Sequence, residues 1–290
     1  MQKFTIRDIE NMSGIKAHTL RIWEKRYQML IPDRKKGHHR IYTNEELKRI
    51  LRIAFLYHSG LKVSAIAVLN EESIISKILD SSITNNNYKL YILHLLEAAI
   101  DFNESTFKKV LNDLVLKIGF ENTITHVCFP YLQRVGHLWS TNNVIPAQEH
   151  FTSYIIQNTI IAETEKTKPV NSNGKTIVLF TPLGEYHELP LLYLNYLLKK
   201  NGWEVIYLGK NVKLDMIEQL TRNKEIKYLY VHVITNFTGM LLDDYMEDLC
   251  KSHLNKKIIV SGMATTQIQR SFVNLTVLKT DEAIYKFIES

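Results

Sequence analysis

The feature that most constrains the fold is a regular alternation of short apolar runs and helical segments in the last third of the chain. Strands that alternate with helices predict a doubly wound α/β domain built on a parallel sheet. In such a domain the ligand crevice lies at the carboxyl ends of the strands. The predicted strands are Thr176–Thr181, Glu204–Leu208, Lys227–Thr235 and Lys256–Gly262, and the predicted helices are Pro190–Asn201, Lys213–Thr221 and residues 241–254.

The middle of the chain, from Leu90 to Glu165, has a different period. Its apolar positions recur near the 3.6-residue period of a helix, without strand alternation, and predict a four-helix bundle whose last helix begins near Pro146. A polar stretch, Ser81–Tyr88, predicts a linker and a domain boundary near residue 80. Because a bundle of about 75 residues is marginally stable alone, we expect it to pack against a neighbour.

The first quarter of the chain carries the whole basic excess. Residues 1–75 contain 14 Lys and Arg against 8 Asp and Glu, whereas the remaining 215 residues contain 22 of each sign. This concentration predicts a polyanionic partner for the first quarter. No apolar run approaches the roughly 18 to 20 residues of a membrane span, and the first residues lack a secretory apolar core. We therefore expect a cytoplasmic protein.

The basic quarter has the pattern of a helix–turn–helix followed by a wing. Two short helices with apolar stripes meet at a turn, Ser13-Gly14, and the second would lie in the DNA major groove. Pro32 is expected to end that helix, Gly37 permits a tight turn in the wing, and Thr43 with Glu46 predicts a capping box that opens another helix. The predicted DNA-binding residues are His18, Thr19, Arg21, Lys25 and Arg26 on the second helix, and Arg34, Lys35, Lys36, His38, His39, Arg40 and Tyr42 in the wing.

Residues 4–72 resemble the winged helix–turn–helix of the MerR family of transcriptional regulators. The stretch TLRIWEKRYQMLIPDRKKGHHRIYTNEEL, Thr19–Leu47, is similar to the subgroup with Trp-Glu near the start of the recognition helix. The resemblance implies binding to double-stranded DNA at a palindromic operator, with dimers or tetramers that hold the winged helices at two half-sites.

A second candidate site lies in the helical region, in the stretch WSTNNVIPAQEH, Trp139–His150. A short loop is expected to bring Trp139, at the end of one helix, to the same end of the bundle as Glu149 and His150. These side chains could cap a ligand. They could also be a Trp packed at a helix corner and a Glu that favours a helix N-terminus electrostatically. The residues alone favour packing.

The loop after the first predicted strand contains Glu185-Tyr-His187. It resembles the Glu/Asp-x-His-x-x-Gly signature of cobalamin-binding domains, which implies that His187 ligates cobalt from below and that Glu185 orients its other ring nitrogen. The spacing of the family's signature leads without a gap to His232 and to Ser261-Gly262, at the ends of two predicted strands.

Three positions depart from the cobalamin signature. Pro190 replaces a Gly, His232 replaces a Ser, and Ser261 replaces the first Gly of a pair. In the family these small residues let the nucleotide tail of the corrinoid pass between helix and sheet. Pro190 can begin the following helix without strain. His232 could hydrogen-bond the tail, or it could fill the slot of a tail that is not bound.

The order of winged helix, bundle and cobalamin domain is similar to that of the light-responsive CarH/LitR regulators over essentially the whole chain. The resemblance implies a transcriptional repressor that is not an enzyme, with adenosylcobalamin between bundle and sheet. It favours the ligand-cap interpretation, because Trp139, Glu149 and His150 match the upper-face cap of those proteins. Ser140 stands where light-sensing members carry a His that takes cobalt after photolysis, so the resemblance does not extend to that residue.

We therefore predict three domains: a winged helix–turn–helix at 1–78, a four-helix bundle at 84–168 and a Rossmann-like cobalamin domain at 173–290. Two alternatives remain open. The same fold could answer to another small ligand or to a protein antagonist, and the crevice around His232 and Pro190 would discriminate. A corrinoid-carrying methyltransferase subunit would share the bundle, the sheet and His187, but it does not account for the basic winged helix.

Overall fold

The computed structural model describes residues 3–34, 40–80, 88–140, 146–167, 174–235 and 240–290. The side chains of residue 34 and of residues 137–140 lie outside this description. The chain forms two compact units, Met1–Ile155 and Ile156–Ser290. Among the residues described, no helix is long and apolar enough to cross a membrane.

The first unit begins with the predicted helix–turn–helix, formed by α1 (Ile6–Ser13) and α2 (Ala17–Tyr27). The turn between them depends on Gly14, whose φ of 73° lies in the left-handed region that glycine adopts without strain. α2 ends at Tyr27 because Gln28 adopts a left-handed φ of 51°. The prediction that Pro32 ends this helix is therefore wrong.

Three short strands form the wing. The wing is an antiparallel sheet in the order β1-β3-β2, formed by β1 (Phe4–Thr5), β2 (Asp33–Arg34) and β3 (Arg40–Tyr42). The pairing of β2 with β3 agrees with the predicted wing. The expected turn at Gly37 lies outside the described residues. The predicted capping box is confirmed, because Thr43 and Glu46 exchange hydrogen bonds at the start of α3. The helices that follow are α3 (Asn44–His58), α4 (Val63–Ile66) and α5 (Glu71–Asp80).

Four helical segments follow and confirm the predicted helical middle of the chain. Their apolar faces meet in a core that includes Phe107, Leu114, Val127 and Tyr131, all fully buried. The predicted linker, up to residue 87, lies outside the described residues. The helices are α6 (Tyr88–Ile100), α7 (Glu104–Ile118), α8 (Phe120–Thr123), which continues through a π-helical segment (Ile124–Cys128) into α9 (Phe129–Ser140), and α10 (Pro146–Lys166).

The winged helix and the bundle helices pack together within the first unit. Arg52 Nε of α3 lies 2.6 Å from Glu97 Oε1 of α6. The guanidinium of Arg134, on α9, donates a hydrogen bond to the carbonyl oxygen of Met12 at the end of α1. The bundle thus has the packed neighbour that its small size requires.

The second unit is built on a five-stranded parallel sheet in the order β5-β4-β6-β7-β8, which confirms the predicted α/β domain. The strand order reverses between β4 and β6, so the topological switch point lies there. No strand or helix was predicted after Gly262. The structure has β8 and α14 there. The strands are β4 (Thr176–Pro182), β5 (Glu204–Val212), β6 (Tyr228–His232), β7 (Lys257–Ser261) and β8 (Leu275–Leu278), and the helices are α11 (Leu189–Lys200), α12 (Leu214–Asn223), α13 (Leu242–Ser252) and α14 (Asp281–Glu289).

Helices cover both faces of this sheet. On one face, Leu229 and Val231 pack with Ile217 of α12 and Leu249 of α13. On the other, Phe287 of α14 contacts the rings that β6 presents to that side. Pro190 lies in the first turn of α11, as predicted, because that position needs no backbone donor.

Candidate functional site

The exposed face of α2 is basic. The opposite face is buried through Leu20 and Trp23, and the Trp23 ring packs edge-on against Tyr57 of α3 at 5.1 Å. Because α2 is anchored on this side, its polar face is open to a partner. The basic side chains of that face suit contacts with phosphates and base edges. Of the predicted DNA-binding residues on α2, His18, Arg21, Lys25 and Arg26 are exposed and Thr19 is half-buried.

Two of the predicted wing residues, Arg40 and Tyr42, have structural roles in the fold. Arg40 Nε lies 2.5 Å from Glu24 Oε2, and this hydrogen bond raises the pKa of Arg40 against the effect of burial. Arg40 therefore ties β3 to α2. Tyr42 is 1% exposed, and burial raises its pKa to about 12. The prediction that the Tyr42 side chain contacts DNA is therefore wrong, whereas that for Arg40 stays a prediction. Lys35, Lys36, His38 and His39 lie outside the described residues, as does the side chain of Arg34.

In the second unit, a buried carboxylate holds a histidine at the switch point of the sheet. Glu185 Oε1 lies 2.6 Å from Nδ1 of His187 and accepts the His187 backbone N–H at 2.9 Å. Its other oxygen accepts the backbone N–H groups of Ile234 and Thr235, after β6, at 2.9 and 2.6 Å. Glu185 thus joins the loop after β4 to the loop after β6, across the two strands where the order reverses.

The protonation of this pair follows from its environment. Burial alone would raise the pKa of Glu185, but hydrogen bonds from His187 and Thr235 outweigh it and hold the pKa at about 2. The carboxylate is therefore ionised and can only accept, so Nδ1 of His187 carries the proton. When the ring is neutral, its lone pair lies on Nε2. The side chain of His187 is 45% exposed, whereas that of Glu185 is fully buried.

A second set of hydrogen bonds fixes the loop that carries the pair. The Thr181 hydroxyl donates to the carbonyl oxygen of Glu185 at 2.7 Å and accepts the N–H of Asn211 at 3.0 Å. The Asn211 side chain in turn accepts the N–H of Gly184 at 2.8 Å. Asn211 has a φ of 61°, a conformation that Asn tolerates better than most residues. Two neighbouring strands therefore support the loop from below.

Beside this pair, the ends of β6 and β7 form a buried polar chain. The Tyr230 hydroxyl donates to Ser261 Oγ at 2.8 Å, and Ser261 Oγ lies 2.8 Å from Nδ1 of His232. Burial lowers the pKa of His232 to about 4 and outweighs the charge of Glu185, which acts to raise it. The ring is therefore neutral near pH 7. The adjacent Gly262 must be a glycine, because a Cβ there would lie 2.2 Å from the carbonyl oxygen of Val233.

Exposed apolar side chains surround the carboxyl edge of the sheet. Leu183 and Tyr186 follow β4, Leu241 precedes α13, and Met263 follows β7, and all four are exposed. Their chain positions place all four near the carboxyl ends of the strands, where an α/β domain binds its ligand. This edge could hold a flat apolar ligand over His187.

The upper-face candidates lie in the first unit. Glu149 and His150 occupy the first turn of α10, and His150 Nδ1 lies 3.8 Å from Glu149 Oε2. The His150 side chain is highly exposed, whereas that of Glu149 is half-buried. The side chain of Trp139 lies outside the described residues.

The structure adds site residues that the sequence did not indicate. Thr235, Thr181, Asn211 and Tyr230 all support the two histidines through hydrogen bonds. Their positions near strand ends were the only available signal, because the partners lie up to 50 residues apart in the chain. The predicted residues Glu185, His187, His232, Ser261 and Gly262 are brought together around the ends of β4, β6 and β7.

Two family models match the chain. Residues 4–72 match the MerR HTH family regulatory protein, and residues 92–162 match a B12 binding domain. The HTH-type transcriptional repressor CarA of Myxococcus xanthus is 30% identical over 207 residues, which cover 70% of this chain and 67% of CarA. The repressor CarH of the same organism is 22% identical over 215 residues, which cover 72% of this chain and 71% of CarH.

A solved structure shares the fold. The monomethylamine corrinoid protein of Methanosarcina barkeri is similar with a TM-score of 0.50 over 67% of this chain and 95% of that chain. The sequences are 14% identical, so the similarity concerns the fold alone.

Proposed function

This chain belongs to the MerR-type transcriptional repressors that include CarA and CarH, and on that premise we propose that adenosylcobalamin controls its binding to DNA. The family gives the coarse function, a cobalamin-binding transcriptional repressor with a DNA-binding winged helix. The form of the cofactor, its ligands and its effect on assembly are our proposal. The observation that carries it is the exposed imidazole of His187, held by the buried, ionised Glu185 at the switch point.

The residues at the sheet edge can provide a ligand for cobalt. Imidazole nitrogen is a common ligand of transition metals, and a carboxylate on the other ring nitrogen fixes the tautomer and increases the basicity of the ligand. Nε2 of His187 is the coordinating atom in this proposal, and the exposed Leu183, Tyr186 and Met263 would contact the corrin ring. His232, Ser261 and Gly262 form the floor of the crevice.

The upper axial side of the cofactor is assigned by resemblance. We assign it to Trp139, Glu149 and His150, which the match of residues 92–162 to a B12 binding domain supports. Adenosylcobalamin supplies a cobalt–carbon bond that light or ligand exchange can break. With the adenosyl group in place, the protein is proposed to form dimers or tetramers that hold α2 at two half-sites, and its loss is proposed to release DNA.

Absorption spectroscopy on the full chain tests this function. The protein is mixed with adenosylcobalamin in the dark, desalted, and compared with His187→Ala and with His18→Ala, an exposed histidine of α2. Wild type and His18→Ala are expected to retain a corrinoid whose spectrum shows histidine in place of the nucleotide base, whereas His187→Ala loses it. Labelling the protein with ¹⁵N-histidine should change the nitrogen splitting in the electron paramagnetic resonance spectrum of the cobalt(II) form.

The assembly proposal has its own readout. Size-exclusion chromatography of the loaded protein in the dark and after illumination should show a larger species only in the dark. Complete loss of corrinoid from wild type on desalting would contradict the function and favour a regulator of this fold with another ligand or a protein antagonist. The burial of His232 and Ser261 is the observation on the side of that alternative.

A further inference from the structure

His232 lies on the face of β6 that two helices cover. Side chains alternate along a strand, so Tyr228, Tyr230 and His232 share one face of the sheet. Phe287 of α14 contacts the rings of Tyr228 and Tyr230, with ring centroids 6.3 and 5.9 Å apart. α14 is in turn joined to α11, because the hydroxyl groups of Tyr285 and Tyr193 lie 3.2 Å apart. His232 therefore lies at the carboxyl end of β6, in the layer of side chains that packs between the sheet and these two helices.

Three polar side chains of β6 and β7 in this layer are hydrogen-bonded to one another. Ser261 and Tyr230 are fully buried and His232 is 6% exposed, and the hydrogen bonds from Tyr230 to Ser261 and between Ser261 and His232 are both 2.8 Å long. A tail that entered at the ends of β6 and β7 would have to displace the His232 ring and leave the buried Ser261 hydroxyl without that partner. On α11, every residue from Leu191 to Leu198 is also buried. The layer is filled by the chain itself.

This packing matters for the nucleotide tail of cobalamin. The tail carries an aromatic base that can itself ligate cobalt from below. If His187 takes that position, the displaced base needs either a slot in the protein or a place in solvent. The slot nearest to His187 would lie at the ends of β6 and β7, where the His232 ring is held.

We propose that His232 excludes the nucleotide tail, so that this site binds a corrin ring and leaves the tail in solvent. This inference rests on the proposed function and makes it more specific. The ligand class is then a corrinoid regardless of its lower nucleotide, including cobinamide, which has none. A tail that makes no contact contributes nothing to affinity.

The test compares two corrinoids on the full-length protein in the dark. Dissociation constants are measured by absorbance titration with adenosylcobalamin and with adenosylcobinamide. In wild type adenosylcobinamide is expected to bind at least as tightly as adenosylcobalamin, because the tail makes no contact and the base of adenosylcobalamin must leave cobalt before His187 can bind it. A preference for adenosylcobalamin above about threefold overturns the inference and leaves the proposed function intact. Failure of both corrinoids to bind overturns the two together.

Two variants locate the effect at His232. His232→Ser removes the ring and is expected to create a preference for adenosylcobalamin of about tenfold or more. His232→Asn keeps an amide that can bond to Ser261 and is expected to show no preference for adenosylcobalamin. A folded His232→Ser protein without that preference would show that another part of the layer excludes the tail, and it would overturn the assignment to His232. If His232→Ser does not fold, the wild-type comparison still decides the proposal.

Discussion

At the scale of single residues, Glu185 has the largest role in the second unit. One buried carboxylate accepts hydrogen bonds from His187 and Thr235, which belong to loops after different strands. Its folded-state pKa of about 2 lies below the ordinary value of 4.5. The stabilisation it gives is therefore complete above pH 4.5 and is lost as the pH falls toward 2.

Glu185→Gln is expected to weaken corrinoid binding about 10- to 100-fold, as is usual when the partner of a metal-ligating histidine is removed. The new amide group can accept at one atom only, so either Nδ1 of His187 or the Thr235 N–H loses its acceptor. Absorbance titration measures the affinity. Acid unfolding of the protein should also become shallower between pH 4.5 and 2, where Glu185 titrates.

The matched control is Glu188→Gln, three residues along the same loop. Glu188 pairs with Lys210 at 2.8 Å and accepts a hydrogen bond from the Tyr207 hydroxyl at 3.1 Å. Its corrinoid affinity is expected to match wild type. Equal losses in both variants would mean that the loop as a whole, and not the orientation of His187, was disturbed.

At the scale of elements, α1 positions the DNA-binding helix. Glu10 of α1 accepts the N–H of Ala17 at 3.1 Å, so it caps the first turn of α2 in place of a local side chain. The same, C-terminal end of α1 is also held by Arg134 of α9, which donates to the carbonyl oxygen of Met12. The bundle helix α9 is therefore connected to α2 through α1.

Arg134→Ala is expected to lower the Tm of the first unit by roughly 3 to 10 °C. The substitution leaves a carbonyl without its partner, at a cost of about 1 to 3 kcal/mol in the free energy of unfolding. Thermal unfolding followed by circular dichroism provides the measurement. Gln133→Ala is the control, because Gln133 is the exposed neighbour on the same helix. Indistinguishable Tm values for the two variants would remove Arg134 from the account of how α1 is held.

At the scale of the whole molecule, the proposed DNA-binding residues and the proposed cobalt-ligand pair lie in different compact units. The basic excess is confined to residues 1–75, whereas Glu185 and His187 belong to the second compact unit. Arg21 is exposed on α2, in the first unit. The two activities should therefore be separable by mutation.

Arg21→Ala is expected to weaken DNA binding about tenfold and to reduce the salt dependence of binding by about one charge if Arg21 contacts phosphate. The corrinoid spectrum should not change. Fluorescence anisotropy measures the affinity, with duplexes selected by the wild-type protein from a random library. Arg222→Ala, an exposed arginine on α12, removes the same charge and should bind DNA normally. Parallel loss of DNA and corrinoid binding in Arg21→Ala would contradict the modular assignment.

The sequence by itself determined those features that depend on local patterns. Period and capping predicted the helical middle of the chain and the alternating strands and helices from Thr176 to Gly262, and the Thr43–Glu46 capping box is present. Charge identified the basic quarter, and the resemblance to the cobalamin signature implied the pairing of Glu185 with His187, which are two residues apart. These features need no partner far along the chain, so their signal is complete within a few residues.

Tertiary structure alone decided the burial and the partners of individual side chains. Tyr42 and Arg40 read as exposed wing residues in the sequence, but packing buries the first and pairs the second with Glu24. The same is true of His232, which the sequence left between a ligand contact and a filled slot. Only the approach of β6 and β7 brings Ser261 to its ring, 29 residues away in the chain, because contacts between distant segments depend on the strand order and not on a local pattern.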